Sequence, residues 1–234
     1  MTLVSFSQEG TSSPYSFYGI GDIKFSGTLE NRSMGGISIA QDSTHINLQN
    51  PAGFANLKWT VFTIGGGSNY TKLKSGAEAA KAQKTTLDYL ALGIPLGKNF
   101  GGAFGLIPYS SVGYRIANEN PDSAQISKRF NGWGGLNRVF LGFGYKILPN
   151  LNLGVNGYYN FGKIQGNSLE YIYDYGIGSR ELNVTNLSGL NVNIGMMYKA
   201  KITKELSVFS SLYYTPESTL KTENTRSIAT VSYN

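Results

Sequence analysis

The chain has 234 residues, of which 41% are hydrophobic but only 15% charged, against about 25% charged in an ordinary soluble domain. Its net charge of +6 is not gathered into a basic stripe with interleaved aromatics, which argues against nucleic acid as a partner. With no cysteine, a disulfide framework, a thiolate metal site and a Cys nucleophile are excluded. No run approaches the roughly 18–20 apolar residues of a membrane-crossing helix.

In chain order, Leu3-Val4-Ser5-Phe6 within residues 1–8 reads either as the tail of an export signal, although a basic start is missing, or as an ordinary frayed terminus. Residues 9–56 form an irregular block. It is punctuated by Gly19-Ile20-Gly21-Asp22, Met34-Gly35-Gly36 and Asn50-Pro51-Ala52-Gly53, which predict turns rather than regular elements. From Leu57 the pattern becomes alternating. Val139, Leu141, Phe143, Tyr145 and Ile147 occupy every second position of one segment, with Gly142, Gly144 and Lys146 between them. Leu151, Leu153 and Val155 alternate with Asn152, Gly154 and Asn156, and Leu190, Val192, Ile194 and Met196 alternate with Asn191, Asn193 and Gly195. Strands place successive side chains on opposite faces, so each segment carries one greasy face and one polar or bare face.

Seven strands are expected, near 57–70, 86–96, 100–116, 130–148, 151–163, 187–202 and 205–222. Such lengths exceed the usual five or six residues of globular strands and suit tilted membrane strands of about 9–11. Short connectors at 97–99, 149–150 and 203–204 alternate with long polar ones near 71–85, 117–129 and 164–186, the rhythm of outer-membrane barrels. The expected fold is all-β: an antiparallel transmembrane β-barrel in a bacterial outer membrane. Because closed bacterial barrels have even strand numbers, the odd count predicts an incomplete barrel, roughly half of one, over residues 57–234.

Catalytic chemistry is poorly represented. The one histidine, His45, lies beside Asp42, Ser43 and Thr44 in the irregular block, without the ordered nucleophile–base–orienter arrangement of a triad. Asp22 and Asp42 are isolated, so a calcium loop is unsupported, and Gly19–Asp22 lacks the strand-to-helix setting of a phosphate loop. No enzyme activity, cofactor or metal is expected. Trp59, Tyr70, Tyr109, Tyr114, Trp133, Tyr213 and Tyr214 lie near strand ends, where barrels place aromatic girdles. Phe140, Met197 and Phe209 interrupt the polar faces and are candidates to line a lumen that takes an apolar ligand. Lys72, Lys74, Lys81 and Lys84 fall in the first long connector and read as a solvated loop.

Arg32-Ser33-Met34-Gly35-Gly36, Asn50-Pro51-Ala52-Gly53, Pro108-Tyr109-Ser110-Ser111-Val112-Gly113-Tyr114 and Gly134-Gly135-Leu136-Asn137 together resemble the FadL family, in its Bacteroidota-type branch. Members of that family transport long-chain fatty acids and other hydrophobic compounds across the outer membrane. The resemblance implies a barrel of roughly fourteen strands, an even count as closed barrels require. It also implies an N-terminal hatch over residues 9–56, with Asn50, Pro51 and Ala52 as its motif, and a lateral opening in the wall. The expected function is passive uptake of hydrophobic small molecules. The alternative is a non-transport accessory barrel in a large outer-membrane complex for protein secretion or barrel assembly. The expected partners are lipid and lipopolysaccharide, a hydrophobic small molecule and other outer-membrane complex subunits.

Overall fold

The computed structural model describes residues 11–39, 43–75 and 78–232; the signal-remnant reading of residues 1–8 and the residue Asp42 lie outside them. A 3-10 turn (Pro14–Phe17), β1 (Asp22–Ile23), α1 (Leu29–Ser33) and a second 3-10 turn (Pro51–Asn56) precede the wall. The wall strands follow as β2 (Val61–Ser75), β3 (Glu78–Pro95), β4 (Phe100–Asn118), β5 (Ser127–Leu148), β6 (Leu151–Ile172), β7 (Ile177–Lys201), β8 (Ser207–Tyr214) and β9 (Lys221–Ser232).

Strands β2 through β8 pair in sequence order, each antiparallel to the next, while β9 pairs with β7. β8 lies against Ile194–Lys201 and β9 against Ile177–Ser188. The two therefore share one position beside β7, and the wall has seven positions, as the alternation predicts. The seventh strand is broken at residues 215–220. Pro216 falls inside that break, and proline has no N–H to give to a ladder. Among the described residues β2 and β8 have no second neighbour along the wall, so the sheet is curled but open.

The strands outrun their expected lengths at one end only. The segments 71–85 and 164–186, expected as long connectors, are mostly strand: β2 and β3 pair as far as Ser75↔Glu78, and β6 and β7 as far as Ile172↔Ile177. Lys72 accordingly sits opposite Lys81 in a ladder rather than in a loop. Apolar alternation weakens in these extensions, which carry polar residues on both faces, such as Gln165 and Glu170 in β6. Cross-strand polar pairs act in its place. Lys128 bridges to Glu170 at 2.7 Å, Glu181 to Arg226 at 2.8 Å, and Ser68 meets Thr85 at 3.2 Å.

The greasy faces point outward. Leu141, Val155, Leu190, Ile194 and Leu212 are all exposed. They form continuous rows across strands, such as Phe143↔Val155↔Ile194. The opposite face carries the glycines and asparagines and is covered by residues 46–57. Ile46, Leu48, Phe54 and Leu57 pack there with Tyr89, Ala91, Ala103, Ile107, Phe140 and Tyr158 as the hydrophobic core. The 3-10 turn Pro51–Asn56 touches β3, β4, β5, β6 and β7. Neighbouring strands are about 4.8 Å apart, so a six-residue turn reaches five of them only from a concave surface.

Candidate functional site

Proline fixes its own φ and favours an extended residue before it. Asn50 is extended, at φ −122° and ψ 110°, and caps the 3-10 turn that Pro51 begins. Its Oδ1 accepts from the Ala52 N–H at 3.0 Å. The Nδ2 group donates to the carbonyl oxygens of Met196 and Leu212, both at 3.1 Å, and to Ser211 Oγ at 2.9 Å. One fully buried side chain thus closes its own turn and ties it to β7 and β8. Asn47 holds the approach: its Oδ1 accepts from the N–H groups of Gln49 and Asn50 at 3.1 and 3.0 Å.

The bare positions of the inner face are the floor of this turn. A Cβ on Gly144 would stand 2.7 Å from the Pro51 oxygen and the Ala55 nitrogen. On Gly154 it would strike Ala52 and Pro51, on Gly195 the Asn50 amide, and on Gly101 the Phe54 carbonyl. Four adjacent strands, β4 to β7, each leave out one side chain where the backbone of the turn lies on them. The polar positions are used as well: Asn152 Nδ2 donates to Asn56 Oδ1 at 3.0 Å, and Asn193 Nδ2 to the Gln49 oxygen at 3.3 Å.

Phe140, Met197 and Phe209 share the inner face. Phe140 is buried in the core, its ring 6.4 Å from that of Tyr158. Met197 is fully buried opposite Asn152 and Ser211. Phe209 is 40% exposed, with Lys199 Nζ 5.0 Å from its ring centroid. Of the aromatics near strand ends, Tyr114 packs against Phe17 of the N-terminal segment, ring centroids 5.1 Å apart. Tyr109 packs against Arg138. The Arg138 guanidinium lies between the rings of Tyr109 and Tyr158, 4.2 and 4.5 Å from their centroids, and its Nε donates to Asn160 Oδ1 at 2.8 Å. Here π faces offset the charge of an interior cation. Sequence reasoning missed this arrangement, since Arg138 stands in an ordinary alternating run.

Sequence reasoning also did not place the seam in the wall or its occupant. β3 and β4 pair only from Leu90↔Leu106 to Pro95↔Gly101. Beyond that point β2 and β3 shift register at Gly65/Gly66, and β4 and β5 shift between Pro108 and Ser110. The N-terminal segment enters the gap. β1 pairs antiparallel with β4 as Asp22↔Ser111 and Ile23↔Ser110, and the Lys24 N–H donates to the Tyr109 oxygen at 2.9 Å. Gly21 makes the approach possible. Its φ is +86°, and a Cβ there would run into the Ser111 backbone. On the β3 side, the Leu29 N–H donates to Tyr89 Oη at 3.1 Å, and Lys24 Nζ lies 4.0 Å from Asp88. Burial lowers the Lys24 pKa and the Asp88 carboxylate opposes that shift. A cavity of about 200 Å³ remains between Asp22, Lys24, Thr28, Gly65, Asp88 and Tyr89. Another of about 710 Å³ lies by Lys24, Thr86, Leu106, Pro108 and Ser110.

His45 is exposed, with Nδ1 3.2 Å from Thr44 Oγ1. Among the described residues no three His, Cys, Asp or Glu side chains gather as a metal site. No helix of the described residues is long and apolar enough to cross a membrane.

The model of the BamG family, a family related to the barrel-assembly machinery, matches residues 1–234. No curated protein and no solved structure matches the chain. The family match overturns the resemblance to FadL transporters and, with it, uptake of hydrophobic small molecules such as fatty acids as the expected function. The short Asn-Pro-Ala and Gly-rich motifs that carry that resemblance have structural uses of their own, in capping a turn and in close packing to a wall. Matched along its whole length, the chain belongs to the BamG family.

Proposed function

We propose that the chain is a non-catalytic subunit of the outer-membrane barrel-assembly apparatus, embedded in the membrane as the wall of a β-barrel. The single observation that carries this reading is the BamG family match over residues 1–234. The inverted faces of the wall support the membrane setting. Apolar rows are exposed outside while asparagines and glycines are covered within, the polarity of a barrel in lipid. Its surroundings are then the lipid and lipopolysaccharide of the outer membrane, and its partners are other subunits of the complex. In the same reading the N-terminal block, residues 9–56, serves as a plug, with Asn50, Pro51 and Ala52 anchoring it to the concave face. Affinity purification of the full chain in a mild detergent is expected to recover further outer-membrane assembly subunits. Recovery of this chain alone, at several detergent strengths, overturns the proposal.

A further inference from the structure

We propose that the seam between β3 and β4 is a strand-addition site, held by β1 in the resting chain and taken by an extended polypeptide strand when β1 leaves. This deepens the assembly reading above and rests on it for the identity of the incoming chain as an unfinished β-strand.

The edges are there. Among the described residues, β3 from Glu78 to Tyr89 pairs with β2 and with no strand on its other side. β4 from Ile107 to Asn118 pairs with β5 and, on its free side, only with the two residues of β1. Exposed strand edges present unpaired N–H and C=O groups that template another strand. β1 itself demonstrates that β4 accepts an antiparallel partner at Ser110 and Ser111.

The present occupant is lightly held. Its side chains contribute little burial, since Ile23 is 65% exposed. The remaining anchors of the segment are mostly polar: the Lys24 N–H donates to the Tyr109 oxygen at 2.9 Å, Ser110 Oγ to the Ile20 oxygen at 2.7 Å and the Gly113 N–H to Ser16 Oγ at 3.1 Å, Lys24 meets Asp88 only at 4.0 Å, and the Phe17 ring packs on β4, 5.1 Å from that of Tyr114. The two cavities beside β1 leave side-chain room. The flanking outer positions Leu87, Leu90 and Leu106 match a strand of alternating apolar and polar residues, apolar side outward. Pro108 keeps the seam apart, because it has no N–H to extend the β3–β4 ladder past Leu106.

The chain's lack of cysteine provides a clean test. In the full-length double variant Ile23→Cys/Ser110→Cys, the directly opposed pair forms a disulfide that locks β1 in place. The probe is a synthetic peptide copying residues 138–147, with a benzophenone at its N-terminus, irradiated with the purified protein. The reduced protein is expected to be labelled on residues 78–89 or 107–118 at least several-fold more than the oxidised one. Lys24→Pro, which loses the N–H to Tyr109 and the contact with Asp88, should label more strongly than the parent chain. Because reduced and oxidised forms are the same molecule, their comparison stands even if Lys24→Pro fails to fold. Equal labelling of the two forms, labelling elsewhere, or none in either overturns the strand-addition site. The purified chain is used alone, so a failure here is separate from a failure to recover partner subunits, which bears on the assembly reading.

Discussion

At the scale of single residues, Asn50 does two jobs that substitution can separate. Its oxygen caps the 3-10 turn and its nitrogen reaches across to β7 and β8. Asn50→Ala removes both and leaves buried carbonyl groups short of a donor, at a cost of about 1–3 kcal/mol. Asn50→Asp keeps the cap acceptor but replaces the donors with a charge facing two carbonyl oxygens, so it should destabilise at least as much. Urea midpoints followed by the fluorescence of Trp59 and Trp133 would rank the variants. An Asp variant close to wild type would mean that the cap, and not the tie between strands, is what matters. Asn50, Pro51 and Ala52 are singled out by a resemblance that the family match overturns, and the structure gives them a packing role at the wall instead. Pro51 and Ala52 are also buried where the turn meets the wall, but what they do there is packing visible only in three dimensions.

At the scale of elements, two glycines that look alike in the sequence have different surroundings. Gly195 faces the turn, where a Cβ would meet the Asn50 amide and stand 2.8 Å from Pro51 Cδ. Gly157 faces outward, and its nearest contact would be 3.8 Å away. Gly195→Val is expected to cost about 1–3 kcal/mol by overpacking and to expose residues 43–57 to protease. Gly157→Val should stay within about 0.5 kcal/mol of wild type, as an unencumbered surface position. Limited proteolysis with mass-spectrometric mapping distinguishes the two. Period-two alternation told where the strands run through the apolar band. It failed in 71–85 and 164–186, where polar residues stand on both faces among scattered apolar ones and hydrogen bonding between strands continues without a continuous greasy face to mark it.

At the scale of the whole molecule, the direction of the apolar faces is the main constraint. Leu141 is 54% exposed in the outer rows, a position that would be a liability in water. If that face meets lipid, Leu141→Arg should lower stability by about 2–4 kcal/mol near the bilayer midplane. The same change at Ile126, an exposed residue just before β5 and beyond the apolar band, should be nearly neutral. Folded yield in vesicles, read by heat-modifiable gel mobility, compares the two. Equal effects would argue against a lipid-facing wall.

By itself the sequence determined the all-β class, the seven wall positions and the division of each strand into a greasy and a bare face. These follow from local periodicity, which any sequence displays. Only the tertiary structure decided which face is covered, because that depends on where residues 46–57 settle. It also showed that the inner glycines are contact points for a turn more than a hundred residues away for Gly154 and Gly195. The parting of β3 from β4, and the entry of β1 between them, were likewise out of reach. A proline and two register shifts are short-range events, and they open a seam only when the strands on either side are brought to the same height in the wall.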